Sequence, residues 1–336
     1  MNIRAPRPAT PLLQRLACTL RRHLPGARAG DVESVHQARV TSRRLREAVP
    51  VLAAGLKGTK AGKATRQIRR LTRALGPVRE MDVTLTLLDE LASTPEVPRT
   101  AVEDVRGYVA RERDARRGVM LKRIDRVNLE KLSRRLESVQ AAVNEATEDP
   151  WRRALAGRLL QQSKYLEGAI KAAGHMYSPQ GLHEVRIAAK KLRYGLELAD
   201  AGGVRHAAPH VRTIRRAQEL LGRLHDLHML QTYIAAAQIG RESARAEARA
   251  ALSALSLYVE EQCRRLHGKY LSTSSSLHVV PGAVSKTIVP QLAQESKRRS
   301  PLKMVLGRAG HGPAVRSAPR GKGGSHAPLA ASRSGR

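Results

Sequence analysis

The chain has 336 residues, and its 61 Lys and Arg exceed its 29 Asp and Glu by enough to give a formal net charge of +32. This excess favours a polyanionic partner, for which nucleic acid, an anionic membrane surface and inorganic polyphosphate are the candidates. With no Phe, one Trp and seven Tyr, the chain has few stacking surfaces for single-stranded nucleic acid, and its two cysteines exclude a disulfide framework and a cysteine-based zinc site.

The hydropathy pattern gives no reason to expect membrane insertion or secretion. No run of 18 apolar residues is present to span a bilayer. The N-terminal segment lacks the apolar core and cleavage site of a secretory signal, and its LLQRLACTLRRHL stretch has the spacing of an ordinary first helix. Because no disulfide framework is present either, the expected location is a reducing cytoplasm.

Residues 10 to about 270 are predicted to be helical nearly throughout. Ala, Leu, Arg and Glu dominate, apolar residues recur at spacings of three and four, and no alternating strand pattern is present. Clusters of Gly, Pro and polar residues predict breaks between helices at residues 26–31, 55–62, 76–80, 93–99, 148–151, 178–181 and 200–210.

The first basic motif is VHQARVTSRRLREAVPVL, residues 35–52. On a helical wheel of ~100° per residue, one stripe about 80° wide contains His36, Arg39, Arg43 and Arg46. The opposite side of the wheel is apolar and contains Ala38, Leu45, Val49 and Leu52. The pattern predicts a helix with one face in the core and a basic face turned away from it.

A second basic segment, RQIRRLTRALGPVRE, follows at residues 66–80. Arginines recur in it at spacings of three and four, at Arg66, Arg69, Arg70 and Arg73. Gly76 and Pro77 predict that a helix ends at this point, because Gly tolerates the left-handed cap and Pro cannot continue the ladder. Glu80 and Asp82 are expected either to cap the next helix or to orient basic side chains by hydrogen bonding.

Both segments occur twice. LHEVRIAAKKLRYGLELA at 182–199 repeats the first at an offset of 147 residues, and RTIRRAQELLGRLHD at 212–226 repeats the second at an offset of 146. Gly222 and Asp226 of the second copy correspond to Gly76 and Glu80, and Gly222 is likewise expected to end a helix. Two repeats in the same order indicate an internal duplication, with halves of roughly 10–145 and 150–272.

A basic stripe that recurs in two copies favours an anion-binding surface. Like charges three and four residues apart destabilise an isolated helix by about a few tenths of a kcal/mol each, unless an anion neutralises them. A solvated basic face is the alternative. No Asp, Glu or second His follows His36 or His183 at the third or fourth position, so no metal site is expected. A neutral imidazole among arginines can instead donate one N–H to an anion.

The composition changes after about residue 272. STSSS opens a segment rich in Ser, Gly and Pro, and residues 297–336 contain ten Lys or Arg and no acidic residue. Residues 273–336 are therefore predicted to be a disordered basic tail, with weak nucleic-acid binding as its expected activity.

Four stretches, VHQARVTSRRLR, LGPVREMDV, LHEVRIAAKKLRY and LLGRLHDL, resemble the signature sequences of the CHAD domain family, the histidine-containing α-helical domains. The resemblance spans about residues 10–270. It implies an all-α fold of two pseudo-symmetric antiparallel helical bundles whose basic central groove binds inorganic polyphosphate. It also implies association with polyphosphate granules in the prokaryotic cytoplasm. Glu80 stands where the family usually has Asp.

The resemblance also implies which residues lie in the groove. The implied phosphate ligands are His36, Arg39, Arg43, Arg44, Arg46, His183, Arg186, Lys190, Lys191 and Arg193. The implied supporting residues are Arg69, Arg70, Arg79, Arg215, Arg216 and His225. Many family members carry a triphosphate-processing CYTH domain before this one, and the acidic metal ligands of that domain are absent here, so coupled catalysis is not expected.

Three function classes follow from these observations. The leading hypothesis is non-catalytic binding of polyphosphate without a cofactor or a metal. The paired N–H donors of guanidinium groups, together with histidines, suit a flexible phosphate chain that has no bases to stack. The second is a nucleic-acid-binding or condensing protein with the tail as its main contact, and competition at equal charge discriminates the two. The third is a polyphosphatase, but the sequence has no P-loop, no metal-binding carboxylate cluster and no nucleophile with a base.

Overall fold

A computed structural model describes residues 9–146, 149–239 and 246–298. In these ranges the chain is helical, with no β-strand, which confirms the predicted all-α class. The first half contains α1 (Thr10–Ala29), α2 (Val32–Leu52), α3 (Ala61–Ala92), α4 (Arg99–Asp125) and α5 (Leu129–Glu145). The second half contains α6 (Pro150–Ala173), α7 (Pro179–Ala201), α8 (Ala207–Ile239), α9 (Ala246–Ala283), a π-helical turn (Val284–Ile288) and α10 (Val289–Arg298). Within the described ranges, none of the helices has the length and apolar character needed to cross a bilayer.

The two basic helices, α2 and α7, each begin at a capped position. The Asp31 side chain accepts a hydrogen bond from the backbone N–H of Ser34 at 2.8 Å and caps α2. The Ser178 hydroxyl accepts one from the backbone N–H of Gly181 at 3.1 Å and caps α7. Each side chain satisfies a first-turn N–H that has no partner within the helix, which fixes where the helix begins.

The two halves are bundles with the same helix order. In the first half α1 packs on α2, α2 on α3 and α3 on α4, and in the second half α6 packs on α7, α7 on α8 and α8 on α9. A further helix packs back on the first helix of each bundle, α5 on α1 and α10 on α6. The halves meet where α2 contacts α7 and α3 contacts α8. This arrangement confirms the predicted pair of pseudo-symmetric bundles.

The apolar faces predicted for the two basic helices are buried. On α2, the side chains of Ala38, Leu45, Val49 and Leu52 are fully buried. On α7, Val185, Leu192 and Leu196 are likewise fully buried. Burying a Leu or Val side chain stabilises a fold by about 1.5–3 kcal/mol. The packing of these faces therefore holds the basic sides of both helices away from the core.

The helix ends predicted at Gly76 and Gly222 are wrong. α3 runs through Gly76 and Pro77, and α8 runs through Gly222. Pro77 has no backbone N–H and so removes one helical hydrogen bond. Leu75 and Val78 on either side of it are buried in the core, and this packing keeps the helix continuous. The duplicated segments consequently lie in the middle of long helices.

The prediction of a tail that begins at residue 273 is wrong for residues 273–298, which are helical. An apolar stripe at spacings of three and four is buried in this region and consists of Leu277, Val280, Val284, Ile288 and Leu292. The hydroxyls of Thr273, Ser274 and Ser276 donate to backbone carbonyls three or four residues earlier, so the polar run fits a helix. The remainder of the predicted tail, 299–336, lies outside the described residues.

Candidate anion-binding cleft

A cleft of about 400 Å³ opens where α2 and α3 of the first half meet α7 and α8 of the second. Its basic lining comes from both halves and consists of His36, Arg39, Arg43, Arg44, Arg79, Arg186, Lys190, Arg193 and His225. Each of these residues belongs to the set implied by the family resemblance. The other lining residues are Val40, Glu80, Val83, Tyr194 and Asp226.

The internal duplication is visible in the lining of the cleft. Arg39 and Arg186 are equivalent positions of the two halves, and both line it. The same holds for Arg43 with Lys190, for Arg79 with His225 and for Glu80 with Asp226. The basic faces of two separate helical hairpins thus meet in one concave surface.

The guanidinium of Arg39 is held in place by α3. Its Nη1 donates to the backbone carbonyl of Thr72 at 3.3 Å. A Cβ atom at position 76 would lie 2.8 Å from the same Nη1, so the absence of a side chain at Gly76 permits this approach. Gly76 therefore serves close packing of an arginine against a helix backbone rather than helix termination.

Several guanidinium groups in the cleft have unused hydrogen-bonding capacity. The Nε atoms of Arg43 and Arg186 are buried and have no hydrogen-bond partner among the described residues. Burial and the neighbouring charge of Arg43 lower the pKa of Arg39 to about 10, and burial is also the main cause that lowers the pKa of Arg186. Concentrated positive charge with unpaired donors is an environment that an anion stabilises.

Lys190 has the most strongly perturbed amine of the cleft. Burial, followed by the charges of Arg186, Arg43 and Arg39, lowers its pKa to about 6. Asp226 acts in the opposite direction but does not offset these effects. The side chain of Lys190 is therefore mainly neutral at pH 8.

The cleft histidines are neutral near pH 7 for the same reason. Burial, assisted by Arg79 for His36 and by Arg186 for His183, lowers the pKa of each ring. The pKa of His225 falls to about 3 through burial and the charge of Arg186. The Nδ1 atoms of His183 and His225 lie 3.2 Å apart, so one ring donates a hydrogen bond and the other accepts it.

The acidic residues after the two expected helix ends do not cap helices. Glu80 and Asp226 line the cleft, where desolvation raises the pKa of both carboxyls and their mutual repulsion contributes for Glu80. Asp82 is buried in the middle of α3 and accepts a hydrogen bond from Nε of Arg113 on α4 at 2.7 Å. The cleft thus contains two carboxylates, and Asp82 instead ties α3 to α4.

Some implied ligands lie outside the cleft lining because they have other partners. Arg46 forms an ion pair with Glu47 at 3.3 Å, and Glu47 also accepts from Arg158 of α6. The ammonium of Lys191 lies 4.7 Å from the centre of the Tyr165 ring. His183 is not in the lining, although its ring contacts that of His225, which is.

The implied supporting residues also lie outside the lining, apart from Arg79 and His225. Arg69, Arg70 and Arg216 are exposed on the outer surfaces of α3 and α8. Arg215 is exposed as well, and it pairs with Glu197 of α7 at 3.1 Å. These arginines add positive charge around the cleft without forming its wall.

A larger cleft of about 760 Å³ lies between α2, α6 and α7. It is lined by Glu47, Arg158 and Lys191 together with apolar side chains such as Val51. Glu47 and Arg158 neutralise each other, and Lys191 is directed at an aromatic ring. Its lining is therefore of mixed polarity, whereas the smaller cleft concentrates positive charge.

Comparison with known proteins agrees with this arrangement. A family model described as the CHAD domain matches residues 12–235, a range that includes α2, α3, α7 and most of α8. The chain belongs to the CHAD domain family. No curated protein matches the chain.

Within the described ranges, no group of three or more His, Cys, Asp and Glu side chains is arranged to hold a metal ion.

Two solved structures share the CHAD fold of this chain. The crystal structure of the CHAD domain from the plant Ricinus communis has a TM-score of 0.58 and 21% sequence identity, covering 83% of this chain and 93% of that chain. PptA from Streptomyces chartreusis has a TM-score of 0.56 and 15% identity, covering 81% of this chain and 100% of that chain. At these identities the likeness confirms the fold alone.

Three lining residues of this CHAD domain were absent from the residues predicted from the sequence, namely Val40, Val83 and Tyr194. Tyr194 lies four residues after Lys190, on the same side of α7, and this helical spacing is the signal that predicts it. Its ring also contacts the guanidinium of Arg193, 5.0 Å away. The two valines carry no chemical signal, and only the packing of the helices places them in the cleft.

Proposed function

We propose that this CHAD domain binds inorganic polyphosphate in the cleft between α2, α3, α7 and α8. The observation that carries the proposal is the convergence of seven Lys or Arg side chains from both halves on one cleft that contains only two carboxylates. Phosphate oxygens are acceptors for guanidinium groups, which bind them through paired N–H donors. A chain of phosphates can meet basic side chains from the two halves at once.

The shape and lining of the cleft favour polyphosphate over nucleic acid. Tyr194 is the one aromatic side chain in the lining, and it is buried, so bases have no stacking platform there. A duplex presents its phosphates on the outside of a wide cylinder, and such a surface reaches exposed arginines rather than a half-buried cleft. A thin chain without bases avoids both difficulties.

We further propose that binding is non-catalytic and takes place in the cytoplasm, at polyphosphate granules. The nucleophile, base and metal-ligand arrangement needed for phosphoanhydride cleavage is not assembled by the described lining residues. Arg and neutral His side chains bind phosphates without supplying an attacking group. The family resemblance supplies the granule association.

Titration of the protein with polyphosphate tests the proposal. We expect replacement of Arg39 and Arg43 by Glu to weaken binding by at least tenfold, because each lost charge-assisted contact is worth about 1.5–3 kcal/mol. The matched control replaces Lys131 and Arg134 of α5 by Glu, which changes the net charge equally on a helix that does not line the cleft. Circular dichroism checks that both variants keep their helices.

A nucleic-acid-binding function is the second candidate. It is favoured by an exposed row on α3 without ion pairs among the described residues, formed by Arg66, Arg69, Arg70 and Arg73. In competition at equal charge, we expect polyphosphate to displace DNA and RNA. Stronger binding of nucleic acid, or equal loss of polyphosphate affinity in the cleft variant and the α5 control, would contradict the cleft assignment.

A further inference from the structure

Glu197 of α7 neutralises three arginines at one end of the cleft. It accepts hydrogen bonds from Nη1 of Arg193 and Nη2 of Arg215, both at 3.1 Å. Its other oxygen lies 3.2 Å from Nε of Arg44 on α2. Arg44 and Arg193 line the cleft, and Arg215 extends the basic surface beyond it along α8. One carboxylate therefore gathers arginines from both halves of the molecule.

This carboxylate is not part of the duplicated pattern. The residue 147 positions earlier, at the equivalent place on α2, is Pro50, which carries no charge. The equivalent of Arg44 is Lys191, which lies over the ring of Tyr165 instead of pairing with an acid. The carboxylate that joins Arg44, Arg193 and Arg215 thus has no counterpart at the equivalent position of the first half.

The contacts of Glu197 resemble those of a bound anion more than those of a rigid support. Nε of Arg44 lies within ion-pair distance but has no hydrogen-bond partner, so its alignment with the carboxylate is loose. The side chain of Arg215 is 51% exposed, whereas that of Glu197 is 15% exposed. Arg39, by contrast, is fixed by the Thr72 carbonyl and by contact with Gly76. Removing Glu197 would therefore release arginines rather than misplace them.

We propose that Glu197 is an internal competitor for phosphate that limits polyphosphate binding at this end of the cleft. The inference rests on the function proposed above. Phosphate oxygens that engage Arg44, Arg193 or Arg215 must displace the Glu197 carboxylate or share the guanidinium with it. In the free protein the same carboxylate reduces repulsion among the three arginines, so it serves the empty state and opposes the bound one.

The test compares wild type with Glu197→Gln in titrations with long-chain polyphosphate over a range of salt concentrations. Gln keeps the size of the side chain and one acceptor but removes the charge. We expect binding about two- to tenfold tighter, because this factor corresponds to the free energy of one ion pair at or near the surface. We also expect a plot of log affinity against log salt that is steeper by about one, because one more phosphate becomes neutralised.

Glu47→Gln is the matched control. Glu47 also pairs with two arginines, Arg46 and Arg158, but it lines the other cleft, so we expect unchanged affinity and slope. A Glu197→Ala variant and thermal unfolding separate a binding effect from a folding defect. Failure of wild type to bind polyphosphate would overturn the proposed function. Binding by wild type with equal or weaker binding by the folded Glu197 variants would overturn the competitor role alone.

Discussion

The lowered pKa of Lys190 leads us to expect a pH dependence of polyphosphate binding that one substitution removes. In the free protein its pKa is about 6, against an ordinary 10.5, mainly because of burial and then because of Arg186, Arg43 and Arg39. A bound polyanion adds negative charge to the cleft and raises this pKa. Binding therefore takes up a proton in the window above pH 6, and affinity increases as the pH falls.

The size of the effect follows from linkage. Every unit by which the bound chain raises the pKa of Lys190 increases the affinity at low pH about tenfold, or by about 1.4 kcal/mol. The increase occurs between the pKa of the bound state and the pKa of about 6 in the free state, and it levels off below that pH. If the bound chain raises the pKa of Lys190 by two units, this side chain alone would change the affinity for polyphosphate about 100-fold.

The stability of the free protein has the opposite pH dependence. Between pH 6 and 10.5 the unfolded chain protonates Lys190 and the folded chain does not, so the contribution of this residue to the free energy of unfolding increases with pH. Urea unfolding across this window should show the trend in wild type. Bound polyphosphate should flatten it, because the folded state then carries the proton too.

The assay titrates wild type, Lys190→Met and Lys191→Met with polyphosphate at several pH values from 6 to 9. Lys191 is the matched control, because it has the same charge on the next residue of α7 but lies outside the cleft lining. We expect Lys190→Met to bind like wild type at pH 9 and progressively more weakly than wild type as the pH falls. Equal pH slopes in wild type and Lys190→Met would refute the reasoning.

Three further outcomes are expected. Replacing His36 and His183 by Gln should reduce the pH slope around and below the ordinary histidine pKa of about 6.5, because both rings are neutral until a polyanion binds, and an unchanged slope would leave them as packing residues. A chain ended at residue 298 should keep its fold and its polyphosphate affinity while losing part of any nucleic-acid affinity, whereas one ended at 272 should lose several kcal/mol in thermal unfolding, because it lacks the buried Leu277. Gly76→Ala should raise helix stability yet weaken polyphosphate binding about two- to tenfold, because its Cβ would displace the Arg39 guanidinium, and unchanged affinity would show that Arg39 adapts.

The sequence predicts the basic and apolar faces because both follow from spacing along one helix. His36, Arg39 and Arg43 share a stripe at steps of three and four, and Leu45 falls opposite and is buried. The duplication then predicts the same faces on α7, and two basic faces around one pseudo-symmetric centre form a cleft. These features need no knowledge of contacts between distant helices.

Contacts between distant helices decide what spacing alone does not predict. Arg46 fits the basic stripe, but its neighbour Glu47 draws it into a pair that Arg158 of α6 completes. The sequence also places Pro77 where a helix normally ends, yet tertiary packing of α3 overrides the local signal. The polar run after residue 272 has the composition of a linker. It is helical because the apolar stripe that follows it packs on α6 and the core.

The two halves supply the same cleft with different kinds of charge. The first half contributes the guanidinium groups of Arg39, Arg43 and Arg79. At the second and third of these positions the other half has Lys190 and His225, whose pKa values fall to about 6 and about 3. An empty cleft can lower its repulsion by leaving the second-half groups neutral, which arginine at every position would prevent. Under the proposed function, a bound polyanion restores the proton at Lys190. The cleft would then combine arginines from both halves with an amine of the second half whose charge develops on binding.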